Sequence, residues 1–172
     1  TRLVALIKRV APEVIIVLGG PEVSYETQEQ AIVGLAVYVI TGWGDISFAA
    51  LCQQILNGPK PLMKIHAGVQ AKLDELQLPY DYYTDKDIQT RTLYVEASRG
   101  CPFKCEFCLS ALDKTAWSFF IDRFLAEMGK MPARGARLFK FVDRTFNLNI
   151  KTSLKIMQFF LDKLEANPDD PV

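Results

Sequence analysis

The sequence predicts an α/β protein built on parallel sheets, and three observations predict it. Two apolar runs without polar alternation, Val14-Ile15-Ile16-Val17-Leu18 and Val37-Tyr38-Val39-Ile40, read as strands covered on both faces. Stretches with apolar residues at helical spacing stand before, between and after them. Glycines close the strands, Gly19-Gly20-Pro21 after the first and Gly42-Trp43-Gly44 after the second, where the chain must turn sharply out of a buried sheet.

Taken in order, Leu3 to Val10 has the spacing of a helix that Pro12 ends. The first strand follows within Glu13 to Leu18, then a helical or loop stretch from Thr27 to Gly34, then the second strand. Asp45 is the expected N-cap of a helix over Ile46 to Leu56, with Phe48, Leu51, Cys52, Ile55 and Leu56 on its apolar side. This order over residues 1–57 is that of the C-terminal half of a flavodoxin-like (Rossmann-like) domain. In such sheets ligands lie beyond the carboxyl ends of the strands, which makes Gly19, Gly20, Gly42 and Gly44 candidate binding positions.

Residues 58–91 read as an interdomain linker with a small helix of its own, begun by Gly58, Pro59 and Pro61. Tyr80, Tyr82 and Tyr83 lack the basic surroundings of a base-stacking surface and are assigned to packing at a domain interface. From residue 92 the pattern restarts. Leu93, Val95 and Ala97 alternate with Tyr94, Glu96 and Ser98 as a strand with two unlike faces. Glu96 either points to a ligand or pairs with a basic residue. Trp117, Phe120, Ile121, Phe124, Leu125 and Met128 form the core stripe of a helix over Trp117 to Met131. A strand over Leu138 to Val142 and a helix over Thr152 to Leu164 complete two βα units, the start of a TIM-type barrel over 92–172.

Composition narrows the function. The 172 residues carry 20 basic and 20 acidic side chains, so no net charge draws the chain to nucleic acid or to an anionic membrane. No apolar run is long enough to cross a bilayer. A reducing cytoplasm is the expected compartment for a chain with clustered thiols. The opening on Thr1 and the closing run at 167–172, which reads as a connection to further chain, lead us to expect a fragment of a longer protein.

Three of the four cysteines fall in Arg99-Gly100-Cys101-Pro102-Phe103-Lys104-Cys105-Glu106-Phe107-Cys108, at the spacing CxxxCxxC. Gly100 and Pro102 let the backbone turn tightly around the first thiol, and the expectation is that the three sulfurs converge on one point. Thiolates are the soft ligands that iron-sulfur cores take, and three of them leave a four-iron cluster with one open corner. A structural zinc site is the alternative, but it wants four ligands. Cys52, on an apolar helix face, reads as a buried small hydrophobe, and His66 reads as a solvent-facing or packing linker residue.

The run resembles the signature of the radical S-adenosylmethionine enzymes, with Phe107 as the aromatic residue before the last cysteine and Ser98 to Pro102 as the usual lead-in. The resemblance implies a 4Fe-4S cluster on Cys101, Cys105 and Cys108 and S-adenosylmethionine on its open iron, with adenine near Phe107. It also implies reductive cleavage to a 5'-deoxyadenosyl radical and an electron donor such as flavodoxin or ferredoxin. A second resemblance covers the first domain. Gly19-Gly20-Pro21-Glu22-Val23-Ser24 and Gly42-Trp43-Gly44-Asp45 are similar to the GGPHxS and GEGE runs of the cobalamin-binding domain that precedes many radical S-adenosylmethionine barrels, with Glu22, Trp43 and Asp45 departing from them. It implies cobalamin in the full-length protein.

Where the family commonly has a Gly-Gly-Glu run, this chain has Phe141-Val142-Asp143-Arg144-Thr145-Phe146-Asn147, resembling the Asp-containing variant of the cobalamin-linked branch. Asp143 and Asn147 are therefore candidates for holding the methionine moiety, or else they serve as turn and cap residues. The substrate is not legible. The rival readings are a methylthiotransferase-like enzyme of the same superfamily, whose second cysteine trio is missing from this stretch, and a non-catalytic zinc- or cobalamin-binding module.

Overall fold

The structure, a computed structural model, describes residues 1–112 and 115–168; the expected connection at 169–172 lies outside them. The chain divides into two compact units, Thr1–Lys72 and Leu73–Val172. No helix among the described residues is long and apolar enough to cross a membrane.

The first unit runs α1 (Arg2–Val10), β1 (Val17–Gly19), α2 (Ala31–Leu35), β2 (Tyr38–Thr41), α3 (Asp45–Asn57) and β3 (Ile65–Ala67). Its sheet has the order β1-β2-β3 and is parallel throughout, with Val17 opposite Tyr38 and Val39 opposite Ile65. The unalternating run in β2 is explained by what covers it. Val39 packs with Val23, Val33 and Ala36 on one face, while Tyr38 and Ile40 pack with Leu51 on the other, so both faces of the strand are apolar for a reason.

Two expectations change here. Asp45 is the first residue of α3, and Gly44 takes the N-cap position without a side-chain bond; a carboxylate in the first turn still favours the positive end of the helix dipole. The stretch read as linker supplies β3, and His66 lies on that strand. Its approach is fixed by Tyr38 Oη donating to the Pro61 carbonyl at 3.1 Å and Lys64 Nζ donating to the Gly34 carbonyl at 3.0 Å.

The second unit begins with α4 (Asp85–Thr90), whose Thr84 and Asp87 form a reciprocal capping box. It continues with β4 (Leu93–Val95), β5 (Ser98–Gly100), β6 (Ala116–Ser118), α5 (Ile121–Lys130), β7 (Phe139–Phe141) and α6 (Ile150–Ala166). β4 and β7 pair in parallel, Leu93 opposite Phe139 and Val95 opposite Phe141, with α5 in the connection between them. That is a βαβ arrangement. β5 and β6 pair antiparallel, Gly100 opposite Ala116.

Alternation holds within β4, where Leu93 and Val95 are buried and Tyr94 is exposed, but the strand expected to run to Ser98 ends at Val95, and Ser98 is buried at the start of β5. Trp117 is a correction. It belongs to β6 and stands half-exposed, and Phe120 is the N-cap of α5. The helical spacing misled because an aromatic residue suits a strand equally well, and pairing with Arg99 takes it.

Phe124 and Met128 of α5 are fully buried, as is Ile156 of α6. Phe124 stands edge-on to Tyr80 at 6.2 Å between ring centroids and tilted against Phe141 at 5.9 Å. Phe141 in turn meets Phe146 and Phe160. Tyr80 thus belongs to this aromatic core. Outside it, Ile150, Leu154, Met157 and Leu161 of α6 are exposed and recur at helical spacing. Removing the hub of the core should be costly: Phe124→Ala is expected to lose roughly 3–5 kcal/mol of stability and Phe124→Leu clearly less, read by urea unfolding.

Candidate functional site

The cysteine run lies on the connection between β5 and β6, so its base is closed by an antiparallel ladder. Gly100 has φ +90° and would place a Cβ 2.1 Å from the Thr115 carbonyl oxygen, so that residue must be glycine for the two strands to meet. Beyond the ladder, the Cys108 backbone N–H donates to the Cys105 carbonyl at 3.0 Å and turns the chain between those two cysteines. All four cysteines are free thiols.

The loop is tied to β7 at two points. Asp143, just past β7, accepts from the Ala97 backbone N–H at 3.0 Å through Oδ2 and from the Ser98 hydroxyl at 2.6 Å through Oδ1. Two residues on, the Thr145 hydroxyl donates to Cys101 Sγ at 3.2 Å. Glu96 pairs with Arg99 at 2.8 Å, which settles its role as an ion-pair partner. Its backbone is held from the other side by the Tyr80 phenol, which accepts from Glu96 N–H at 3.0 Å and donates to the Glu96 carbonyl at 3.3 Å.

Electrostatics differ along the loop. The Cys108 thiol is held below the ordinary thiol range, first by the Ser110 hydroxyl, then by the Ser110 backbone N–H and, more weakly, by the positive charge of Arg144. The Ser110 hydroxyl is buried and makes no geometric hydrogen bond among the described residues, so its influence on that sulfur is one of proximity. Cys105 and Phe107 face solvent, Phe107 at 95% exposure.

Among the described residues no three His, Cys, Asp or Glu side chains are grouped closely enough to hold a metal ion. The expected convergence of the three sulfurs is therefore not formed: Cys101 is drawn to Thr145, while Cys105 stands exposed. What fits an iron-sulfur cluster is the chemistry of the donors, three uncrosslinked thiols within eight residues of one clamped loop.

Of the other candidates, Asp143 has both carboxylate oxygens committed to the Ala97 N–H and the Ser98 hydroxyl, a clamp between distant segments rather than the turn or cap duty for the following helix that was the alternative. Asn147 is exposed; the cap of α6 is Asn149, whose side chain accepts from Thr152 N–H.

In the first unit the glycine turns are brought together at the carboxyl end of the sheet. The Ser24 hydroxyl donates to the Gly20 carbonyl at 2.7 Å and accepts from Gly42 N–H at 2.8 Å, clipping one turn to the next. Gly20 and Gly42 have φ of +103° and +70°. Gly20, Gly42 and Gly44 have open space where a Cβ would stand, and Gly19 meets only the Ile40 carbonyl at 3.7 Å. The result is a ledge bare of side chains at these positions.

Gly68, after β3, is a third such strand-end glycine that the sequence reading passed over. A Cβ there would lie 2.1 Å from the Trp43 carbonyl oxygen. The short run Ile65-His66-Ala67 ending in glycine repeated the pattern of the other two strands and could have found it. His66 stacks edge-on against Tyr38 at 5.7 Å, a packing role. Cys52 lines an apolar cleft of about 370 Å³ with Ile15, Val17, Phe48, Ile55 and Leu56.

No family model matches the chain. It is similar to a protein of Pyrococcus horikoshii described as an uncharacterized methyltransferase, with 28% identity over 185 aligned residues. The match covers 90% of this chain and 39% of that protein, so the chain spans about two-fifths of its relative's length.

Two outcomes follow from the clamp behind the loop. Asp143→Ala leaves the Ala97 N–H and the buried Ser98 hydroxyl without their acceptor and should cost about 1–3 kcal/mol in urea unfolding, with Asp143→Asn between it and wild type. Burial pushes the Tyr80 phenol up to about 12 from 10.0, with smaller contributions from the negative charges of Glu96 and Asp143. The folded chain thus keeps a proton that the unfolded chain releases near pH 10. Stability should be whole below pH 10 and fall as pH rises toward 12, and Tyr80→Phe should remove that part of the slope.

Proposed function

We propose that the chain is part of a radical S-adenosylmethionine enzyme of the cobalamin-linked kind, acting in methyl-group chemistry. The observation that carries this reading is the CxxxCxxC loop: three free thiols on one connection whose base is fixed by the β5–β6 ladder. Similarity to a relative described as a methyltransferase supports the methyl-transfer part. The parallel pair β4–β7 with its connecting helix supports the start of a (β/α) barrel, in which loops after strands carry the chemistry.

In this reading Cys101, Cys105 and Cys108 hold a 4Fe-4S cluster, which when bound supplies the electron that cleaves S-adenosylmethionine to a 5'-deoxyadenosyl radical. Holding it requires the Cys105–Cys108 turn and the Cys101 end of the loop to close together. Asp143 and the ladder hold the loop's base while that happens. The bare ledge at Gly19, Gly20, Gly42 and Gly44 is where a flat corrin would lie, because no side chain at these positions stands above the backbone. A flavodoxin or ferredoxin would supply electrons, and the cytoplasm would keep the thiols reduced.

Anaerobic reconstitution with iron and sulfide should load about four irons per chain on the three thiols. It should also give a reduced-state electron spin resonance signal that changes when S-adenosylmethionine is added. Cys105→Ala should abolish both. Stoichiometric zinc with no such signal would instead identify a non-catalytic metal-binding module.

A further inference from the structure

Besides the tyrosines, the buried hydroxyl-bearing residues among those described are Ser98, Thr145 and Ser153, all in the second unit. Each is spent on the ground behind the cysteine loop. Ser98 donates to Asp143. Ser153 Oγ lies 2.8 Å from the Phe146 carbonyl and 3.0 Å from the Asn149 carbonyl. Thr145 donates to Cys101 Sγ. Burying polar groups costs stability unless each finds its partner, so a chain that buries these three is specifying the turn after β7.

That turn is fixed from several sides. Leu148 N–H donates to the Thr145 carbonyl at 3.0 Å, Ser153 reaches the Phe146 carbonyl, and the Phe146 ring stands edge-on to Phe141 at 5.0 Å. A β-branched side chain has little freedom about its first torsion, and Thr145 is only 8% exposed. Its hydroxyl is therefore aimed at one atom by the fold rather than by solvent, and that atom is the first sulfur of the CxxxCxxC run.

We infer that Thr145 is a positioning residue for Cys101: its hydroxyl orients the sulfur and, with a cluster bound, donates a hydrogen bond to that ligand and raises the cluster's reduction potential. The inference rests on the three-thiol cluster reading. A donor at a ligating sulfur withdraws electron density and favours the reduced state, one of the main ways a protein sets such potentials. Sequence spacing does not announce the residue, since 44 positions separate the two partners.

The test compares wild type, Thr145→Val and Thr145→Ser after anaerobic reconstitution with iron and sulfide, reading iron content and the midpoint potential by spin-resonance redox titration. Valine keeps the branched shape without the hydroxyl; serine keeps the hydroxyl. The expected result is equal iron content in all three, a more negative potential in T145V, and a near wild-type potential in T145S. The T145V displacement should approach tenfold in the reduction equilibrium, about 59 mV for a one-electron couple.

A T145V cluster at the wild-type potential overturns the inference and leaves the cluster reading standing. A wild-type chain that takes up no iron overturns both. If T145V does not fold, Thr145→Ala carries the comparison, and a T145S potential displaced as far as that of T145A overturns the inference, because the hydroxyl would then not be the group that matters.

Discussion

One carboxylate organises the second unit. Asp143 stands where β7 ends and accepts from two consecutive residues, Ala97 and Ser98, where the chain passes from β4 into β5. A parallel pair such as β4–β7 aligns strand ends but does not dictate where the chain goes next. Two hydrogen bonds to a single charged acceptor do, and charged acceptors make the stronger bonds. With the start of β5 fixed, the ladder to β6 can form, and the loop between them is presented on a set base.

The same logic governs the first unit with neutral groups. Parallel strands leave their carboxyl ends side by side, and the turns that follow must be held if they are to make a surface. Ser24 does this with one hydroxyl, both donor and acceptor, between the Gly20 and Gly42 turns. A side chain at Gly68 would strike the backbone at Trp43 and Thr41, so the third turn is held by close approach instead. Each unit thus pairs a short parallel sheet with a polar clip just past its strand ends.

The sequence was most legible where pattern and burial say the same thing. The unalternating run in β2, the alternation in β4 and the helix ended by Pro12 all carry their own signal within a few residues, and all appear. The cysteine spacing was equally plain as chemistry, but its geometry was not: whether three sulfurs meet depends on the loop's own turn and on Thr145, which lies 44 positions from Cys101. Trp117 failed for a related reason. Helical spacing continued across it by coincidence, and the deciding fact, its pairing with Arg99, lies in another segment. His66 and β3 were lost because glycine and proline around residues 58–61 look like a linker, while the bonds from Tyr38 and Lys64 that draw this stretch into the sheet cannot be read from it.

The outward row of α6, Ile150, Leu154, Met157 and Leu161, also governs how the molecule behaves in bulk. A chain with no net charge at neutral pH and an isoelectric point near 6.5 has little Coulomb repulsion between its copies, and an oily ridge on such a particle gives every collision somewhere to stick. Colloidal stability in a concentrated preparation will therefore be poorest close to neutrality, and moving to more alkaline buffer, short of the range where Tyr80 ionises, keeps the particles apart without touching the fold.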